Sequence, residues 1–383
     1  THWLYTSVIR PAITYGALVW WPSIRRTVHS KKLGRLQRLA CLGVTGVMRT
    51  TPTLAMEAIL GLEPLHLNVE AQARRASIRL NDWGEWNSRA GVLGHARIWE
   101  ETVKSNPLLA RKDAITPVLI PAKRYQVIIP PRELWLEPKP DFLRPEGLIW
   151  YTDGSLMNGK AGAGIYGHSP RVKISLSLGQ YATVYQAEIA AITACVRENL
   201  TRGYSNKHIY ICSDSQAALK ALSKAEVRSA ITLECKNALD RLSLSNKVSL
   251  IWVPGHTGIE GNEEADNLAR EGSKMTFIGP EPVFGIAQST AKTFIRKWIT
   301  SKFREEWNQQ ERLRQSRTFI IDPMDRSEVK RLLSSNRNQL RAFVGVLTGH
   351  SLVNYHLYNI GLSNEPDCRF CGEEDETTEH LTC

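Results

Sequence analysis

The stretch IWYTDGS, residues 149–155, limits what this chain can fold into more than any other. Ile149, Trp150 and Tyr151 lead into Thr152, Asp153 and Gly154. That order predicts a buried strand ending on a carboxylate, with a glycine where the backbone turns or comes close to a ligand. Two more strands are predicted directly behind it, at 161–167 (AGAGIYG) and 172–178 (VKISLSL). A helix over 183–202, a strand over 208–213, helices over 215–223 and 227–244, a strand over 247–253 and a helix over 261–273 follow. Three strands in meander followed by alternating helix and strand predict an α/β domain, a mixed five-stranded sheet with helices on its faces.

Three further acids stand in distinctive settings: Glu188 in YQAEIAAITACV, Asp214 in IYICSDSQAAL and Asp266 in WVPGHTGIEGNEEADNLA. Asp153 and Asp214 close two strands that can lie side by side in such a sheet. Glu188 shares a helical stripe with Ala191, Ile192 and Cys195, and Asp266 sits in the last helix. Helices packed on the sheet would bring all four acids together. Four carboxylates at one point repel unless cations lie between them. Mg²⁺ is the natural neutraliser, with Mn²⁺ as a substitute, because it takes oxygen ligands and accepts phosphate oxygens. Two such ions about 4 Å apart support in-line hydrolysis at phosphorus. His256, in PGHTG between the last strand and the Asp266 helix, either relays a proton or only shapes its loop.

YTDGS, the AGAG strand, QAE, SDSQAAL and WVPGHTGIEGNEEAD together resemble the type 1 ribonuclease H family, over about residues 149–273 or one third of the chain. The resemblance implies a ribonuclease H-like fold and cleavage of the RNA strand of an RNA–DNA hybrid, leaving a 3′-hydroxyl and a 5′-phosphate. It implies that Asp153, Glu188, Asp214 and Asp266 bind two metal ions and that His256 is the mobile-loop histidine. Thr183 matches a phosphate-contacting threonine; Gly154, Ser155 and Ser215 complete the expected substrate contacts. Val184 stands where many cellular members use an asparagine in the minor groove, and the run ECKNALDRLSLSNK leaves little room for their basic handle.

Substrate grip would then come from outside the domain, and the charge supports that. The chain carries a net +11, of which residues 1–146 hold +9, 147–275 only +2, 276–345 +6 and 346–383 −6. Basic flanks suit a polyanionic partner, although solvated helix faces look the same in sequence. Residues 1–104 predict a helical region that includes Arg74, Arg75 and Arg79 on one helix; 105–146 predict a Pro-rich linker; 276–366 predict a basic helical region. Phe294, Trp298, Phe303 and Trp307 recur near helical spacing there and are expected to fill a core rather than stack on bases. LYTSVIRPAITYGALVWWPS and MEAILGLEPL are similar to the region after the polymerase core of arthropod-type non-LTR retrotransposon reverse transcriptases. The paired polymerase aspartates are missing, and the opening Thr1 reads as a piece of a longer polyprotein.

No apolar run of about 18 residues predicts a membrane span. Four of the seven cysteines (Cys41, Cys195, Cys212 and Cys235) lie singly in apolar settings, which predicts a reduced, intracellular protein, nuclear or cytoplasmic. Residues 367–383 hold Cys368, Cys371, His380 and Cys383, a spacing that suits a structural or partner-binding Zn²⁺ knuckle. A fourth ligand beyond Cys383, or a plain acidic tail with thiols, fits the same residues. The leading expectation is a metal-dependent hybrid nuclease; a nucleic-acid-binding remnant of a defective element is the alternative. An integrase-like or Holliday-junction-type nuclease would need a different acid set.

Overall fold

The computed structural model describes residues 1–86, 96–135 and 147–382. The described residues separate into two compact units: 1–77, 96–100 and 294–382 form one, and 78–86 with 101–293 form the other.

The second unit is built on β3 (Leu148–Met157), β4 (Lys160–Gly167) and β5 (Val172–Gly179), an antiparallel meander. Parallel to β3 lies β6 (His208–Ser213), and parallel to β6 lies β8 (Lys247–Trp252). The alternation of side chains across each strand sorts the two faces. Ile209 and Ile211 of β6 join Trp150, Ile165 and Leu250 in the main core, against Ile189, Ile192 and Val196 of α1 (Val184–Thr201). Tyr210 and Cys212 point the other way, toward Ile251 and Val253. Beyond β6 come α2 (Gln216–Ser223), β7 (Glu226–Ser229), α3 (Ala230–Leu242) and, after β8, α4 (Glu260–Lys274).

The AGAG sequence of β4 is what seats α4. A β-carbon on Gly162 or Gly164 would run into α4 backbone at Ala265, Ala269 and Ser273, so strand and helix meet without intervening side chains. Ala265 and Ala269 are fully buried in that seam. The start of α1 is fixed by a capping box: Gln186 N–H donates to Thr183 Oγ1 (3.2 Å), and Thr183 N–H donates to Gln186 Oε1 (3.0 Å).

The sheet has six strands rather than five, in the order β2-β8-β6-β3-β4-β5. The sixth, β2 (Gln126–Ile128), comes from the segment expected to be a linker and runs parallel to β8. Tyr125 anchors it: its ring is buried and its hydroxyl donates to Leu222 O at 2.9 Å. Upstream, β1 (Ala114–Leu119) pairs antiparallel with β7. Asp113, just before β1, accepts from Ser229 Oγ (2.7 Å) and Ile231 N–H (3.1 Å) at the start of α3. The helix expected over 227–244 therefore begins at Ala230, because residues 226–229 are drawn into this strand pair. Residues 136–146 of the expected linker lie outside the described residues.

The other unit is helical. Helices Thr27–Thr45, Thr53–Leu60 and Arg337–Thr348 contribute Cys41, Met56, Leu60, Leu340 and Val344 to one core. Within it Tyr5 OH donates to Gln37 Oε1 (2.7 Å) and Gln37 Nε2 donates to Glu57 Oε1 (2.6 Å). Burial pushes the Glu57 carboxyl up to about 8. Phe303 and Trp307 are buried, as a core stripe requires, while Phe294 and Trp298 are half-buried. Arg74 does not face solvent: it is buried, paired with Glu70 at 2.7 Å, and its guanidinium lies 4.2 Å from the Trp298 ring centre.

Candidate active site

Asp153, Glu188 and Asp214 come together, each offering a carboxylate oxygen within 4.8 Å of the others. Register explains the meeting of two of them: Thr152 pairs with Ser213, so the next residues along β3 and β6 emerge side by side. Glu188 arrives through Gly154. That glycine lies inside β3 rather than at a turn, and the close approach it permits is to α1, where a β-carbon would strike Ala187 and Glu188 backbone. Asp214 is held by its neighbours, with the Trp252 indole N–H donating to its backbone carbonyl at 3.0 Å.

These acids are poorly compensated. Burial, then the charges of Asp214 and Asp266, push Asp153 up to about 7. Burial, then Asp153 and Asp214, push Glu188 well above the usual carboxylate range. Asp214 is also raised, chiefly by burial, despite a hydrogen bond from Asn262 and the proximity of His256. Glu188 Oε2 is buried and has no hydrogen-bond partner. An all-oxygen donor set with an unsatisfied buried oxygen fits a hard divalent cation such as Mg²⁺ or Mn²⁺.

Asp266 stands beside this trio rather than within it. Its carboxylate groups with His256 and Glu263, again with candidate ligand atoms within 4.8 Å of one another. Arg270, one turn later on α4, pairs with Asp266 at 2.7 Å and draws the carboxylate to itself. Asp266 nonetheless remains close enough for its charge to raise both Asp153 and Asp214. His256 is exposed with φ of 53° in the loop between β8 and α4. Sequence reasoning missed Glu263 and Asn262. The signal was present in GNEEAD, where residues three and four apart share a helix face with Asp266.

Among the expected substrate contacts, Thr183 caps α1 and Ser215 caps α2, its hydroxyl accepting from Ala218 N–H at 3.4 Å. Gly154 is taken up by the α1 contact, and Ser155 is half-buried next to it on β3. Val184 is exposed at the first position of α1.

Near the C-terminus, Cys368, Cys371 and His380 bring ligand atoms within 4.8 Å of one another. Cys371 Sγ lies 3.4 Å from His380 Nε2, and Phe370 N–H points at Cys368 Sγ at 3.5 Å. Backbone N–H groups of Glu373 and Glu374 draw the Cys371 thiol down to about 7. Cys383 lies outside the described residues.

Residues 145–274 match the RNase H family model. Ribonuclease H1 of Homo sapiens is 32% identical over 149 residues, which cover 34% of this chain and 51% of that protein. A 115 kDa protein in the type-1 retrotransposable element R1DM of Drosophila melanogaster is 29% identical over 86 residues, 21% of this chain and 8% of that protein. The crystal structure of RNase H1 from the halophilic archaeon Halobacterium salinarum NRC-1 aligns at 26% identity and a TM-score of 0.28, covering 33% of this chain and 96% of that one. The chain spans about half the length of the Ribonuclease H1 proteins it matches. Residues 145–274 are thus a ribonuclease H domain, with a ribonuclease H-like fold and Ribonuclease H1 proteins among its relatives.

Proposed function

We propose that this chain hydrolyses the RNA strand of RNA–DNA hybrids, with Asp153, Glu188, Asp214 and Asp266 as the acids and His256 as proton carrier. The observation that carries the reading is the convergence of three buried carboxylates with one oxygen unsatisfied, in a domain matching the RNase H family. Divalent cations, when bound, supply Lewis-acid activation and charge neutralisation at phosphorus. Asp153, Glu188 and Asp214 would hold and orient them, while Asp266 adds negative charge from the side. Water adds to phosphorus, handing one proton to a non-bridging phosphate oxygen, as the P–O3′ bond breaks. An imidazole nitrogen of His256 delivers the proton that the departing 3′-oxygen takes up. Thr183, Ser155 and Ser215 are the substrate contacts in this reading.

We read the chain as part of an intracellular retrotransposon polyprotein. The similarity to the Drosophila element protein and the sequence of residues 1–65 support this. Basic flanking residues would add phosphate contacts. A Zn²⁺ ion held by Cys368, Cys371, His380 and Cys383 would brace the C-terminal turn; mixed sulfur and nitrogen ligands favour that metal. One zinc per chain by elemental analysis, lost in Cys371→Ser, is the expected result; a zinc-free wild type would rule the ion out.

Labelled hybrid incubated with Mg²⁺ tests the nuclease. Wild type should cut the RNA strand and Asp214→Asn should lose at least about 100-fold in rate. Equal cutting by both refutes the assignment. Salt-sensitive hybrid binding without cleavage would favour a non-catalytic remnant.

A further inference from the structure

Glu376 is fully buried, although it lies in an acidic stretch between Cys371 and His380. Its carboxylate accepts four N–H bonds. The Arg369 guanidinium donates from Nη2 to Oε1 at 2.6 Å and from Nε to Oε2 at 2.7 Å. The Arg369 backbone N–H donates to Oε2 at 2.9 Å, and the Asn354 backbone N–H to Oε1 at 3.2 Å. A carboxylate leaves water only where such donors replace its hydration. Arg369 sits between Cys368 and Cys371, so one carboxylate holds both the main chain and a side chain of the segment joining the two thiols. The backbone around it is fixed as well: Cys368 N–H donates to Glu374 O at 2.7 Å, Gly372 N–H to Cys368 O at 2.8 Å and Glu376 N–H to Pro366 O at 2.8 Å. His380 is reached through the next residue, Thr377, whose Oγ1 accepts from His380 N–H at 3.0 Å. Glu374 Oε2 lies 3.1 Å from His380 Nδ1, which places the proton on Nδ1 and turns the Nε2 lone pair toward Cys371 Sγ, 3.4 Å away.

We infer that Glu376 is a positioning residue: it sets Cys368, Cys371 and His380 in ligand geometry before an ion arrives, so that the metal enters a finished site. This rests on the reading of those three residues as zinc ligands. The four bonds to the Glu376 carboxylate use neither a thiol nor an imidazole nitrogen, so anchoring and coordination do not compete for the same atoms. The anchor also reaches beyond the turn. Arg369 Nη2 donates to Leu352 O at 3.1 Å, Asn354 Nδ2 to Asp367 O at 2.8 Å and Tyr355 N–H to Glu376 O at 3.2 Å. These bonds tie the turn to the start of the helix Asn354–Asn359. A small zinc turn organised by its ion alone unfolds when the ion is withdrawn. A turn organised by Glu376 keeps its shape, and the ion binds without having to order the chain.

The test compares the full chain with Glu376→Gln, which keeps the volume without the charge, and Arg369→Lys, which keeps the charge without the fork. Zn²⁺ affinity is measured by competition with a chelating dye, and amide hydrogen exchange is followed in EDTA. The metal-free wild type should protect the amides of Cys368, Gly372 and Glu376. Both variants should bind Zn²⁺ about tenfold more weakly or worse. A tenfold loss corresponds to a competent turn in about one-tenth of the molecules, so those amides should lose nearly all metal-free protection, and saturating Zn²⁺ should restore it. Protection in the helix Arg337–Thr348 should stay at the wild-type level. A metal-free wild type whose turn exchanges like unfolded chain overturns the inference. So does wild-type Zn²⁺ affinity in Glu376→Gln, or weaker binding with metal-free protection unchanged. Loss of protection that extends to the helix Arg337–Thr348 is general unfolding and overturns a positioning role. A wild type that binds no Zn²⁺ refutes the zinc reading, and the metal-free exchange of wild type and Glu376→Gln then still decides whether Glu376 sets the turn.

Discussion

Replacing Asp153 with asparagine should stabilise the metal-free protein while abolishing the proposed hybrid cleavage. Asp153 is 6% exposed, and burial plus the charges of Asp214 and Asp266 raise its carboxyl from 3.8 to about 7. The folded protein therefore keeps a proton on Asp153 at pH values where the unfolded chain has lost it. Stability must fall as pH rises from about 4 to about 7, and stay level above that. Roughly three pH units at 1.36 kcal/mol each bound the cost near ~4 kcal/mol. Glu188 and Asp214 share the same unfavourable field and relax when one charge goes, so ~2–4 kcal/mol is the expected gain for Asp153→Asn at pH 8. The gain should shrink to near zero at pH 4, where wild type is protonated too. Urea denaturation in EDTA at the two pH values measures both numbers. Adding Mg²⁺ should narrow the gap at pH 8, because cations do for wild type what the substitution does for the variant. A variant no more stable than wild type at pH 8 without metal would show that burial and the neighbouring charges do not disfavour the Asp153 carboxylate.

Two other substitutions test how the site is held. Gly164→Ala places a methyl against α4 backbone at Ala265 and Ala269 and should cost ~1–3 kcal/mol in denaturation. Because α4 carries Asn262 and Asp266, the same variant should raise the Mg²⁺ needed for half-maximal cleavage; an unchanged requirement would separate the seam from the site. Arg270→Gln frees Asp266 from its 2.7 Å ion pair and removes a positive charge beside the acids. Half-saturating Mg²⁺ should fall about fivefold at low salt, less at high salt because the pair is partly exposed. A rise in the requirement would mean that Arg270 supports the cation site rather than competing with it.

The parts of this fold that were legible in the sequence are those where local pattern and burial agree. The β3–β5 meander shows in its apolar runs, and α1 shows in the Glu188 stripe. The pairing of Asp153 with Asp214 could be anticipated because strand ends are readable and adjacent parallel strands place them together. What could not be read depends on pairing at long range. Residues 126–128 are a three-residue strand amid prolines, and nothing local reveals that Tyr125 finds a buried hydrogen-bond partner at Leu222. Residues 226–229 carry helix-compatible side chains and become a strand only because 114–119 lie alongside. Gly154 reads equally well as a turn or as a close approach to a ligand, and the structure spends it on the α1 backbone instead. The ion pair of Asp266 with Arg270 depends on side-chain conformation, which spacing along the chain does not specify.

In this reading the carboxylates of Asp153, Glu188 and Asp214 share a divalent cation. A crystal of the full chain soaked in Mn²⁺, with anomalous scattering recorded at the manganese edge, tests it most directly. A strong peak is expected within coordination distance of oxygens from all three residues, with the Glu188 oxygen that lacks a partner among them. No peak there at saturating Mn²⁺, or one confined to His256, Glu263 and Asp266, would contradict it.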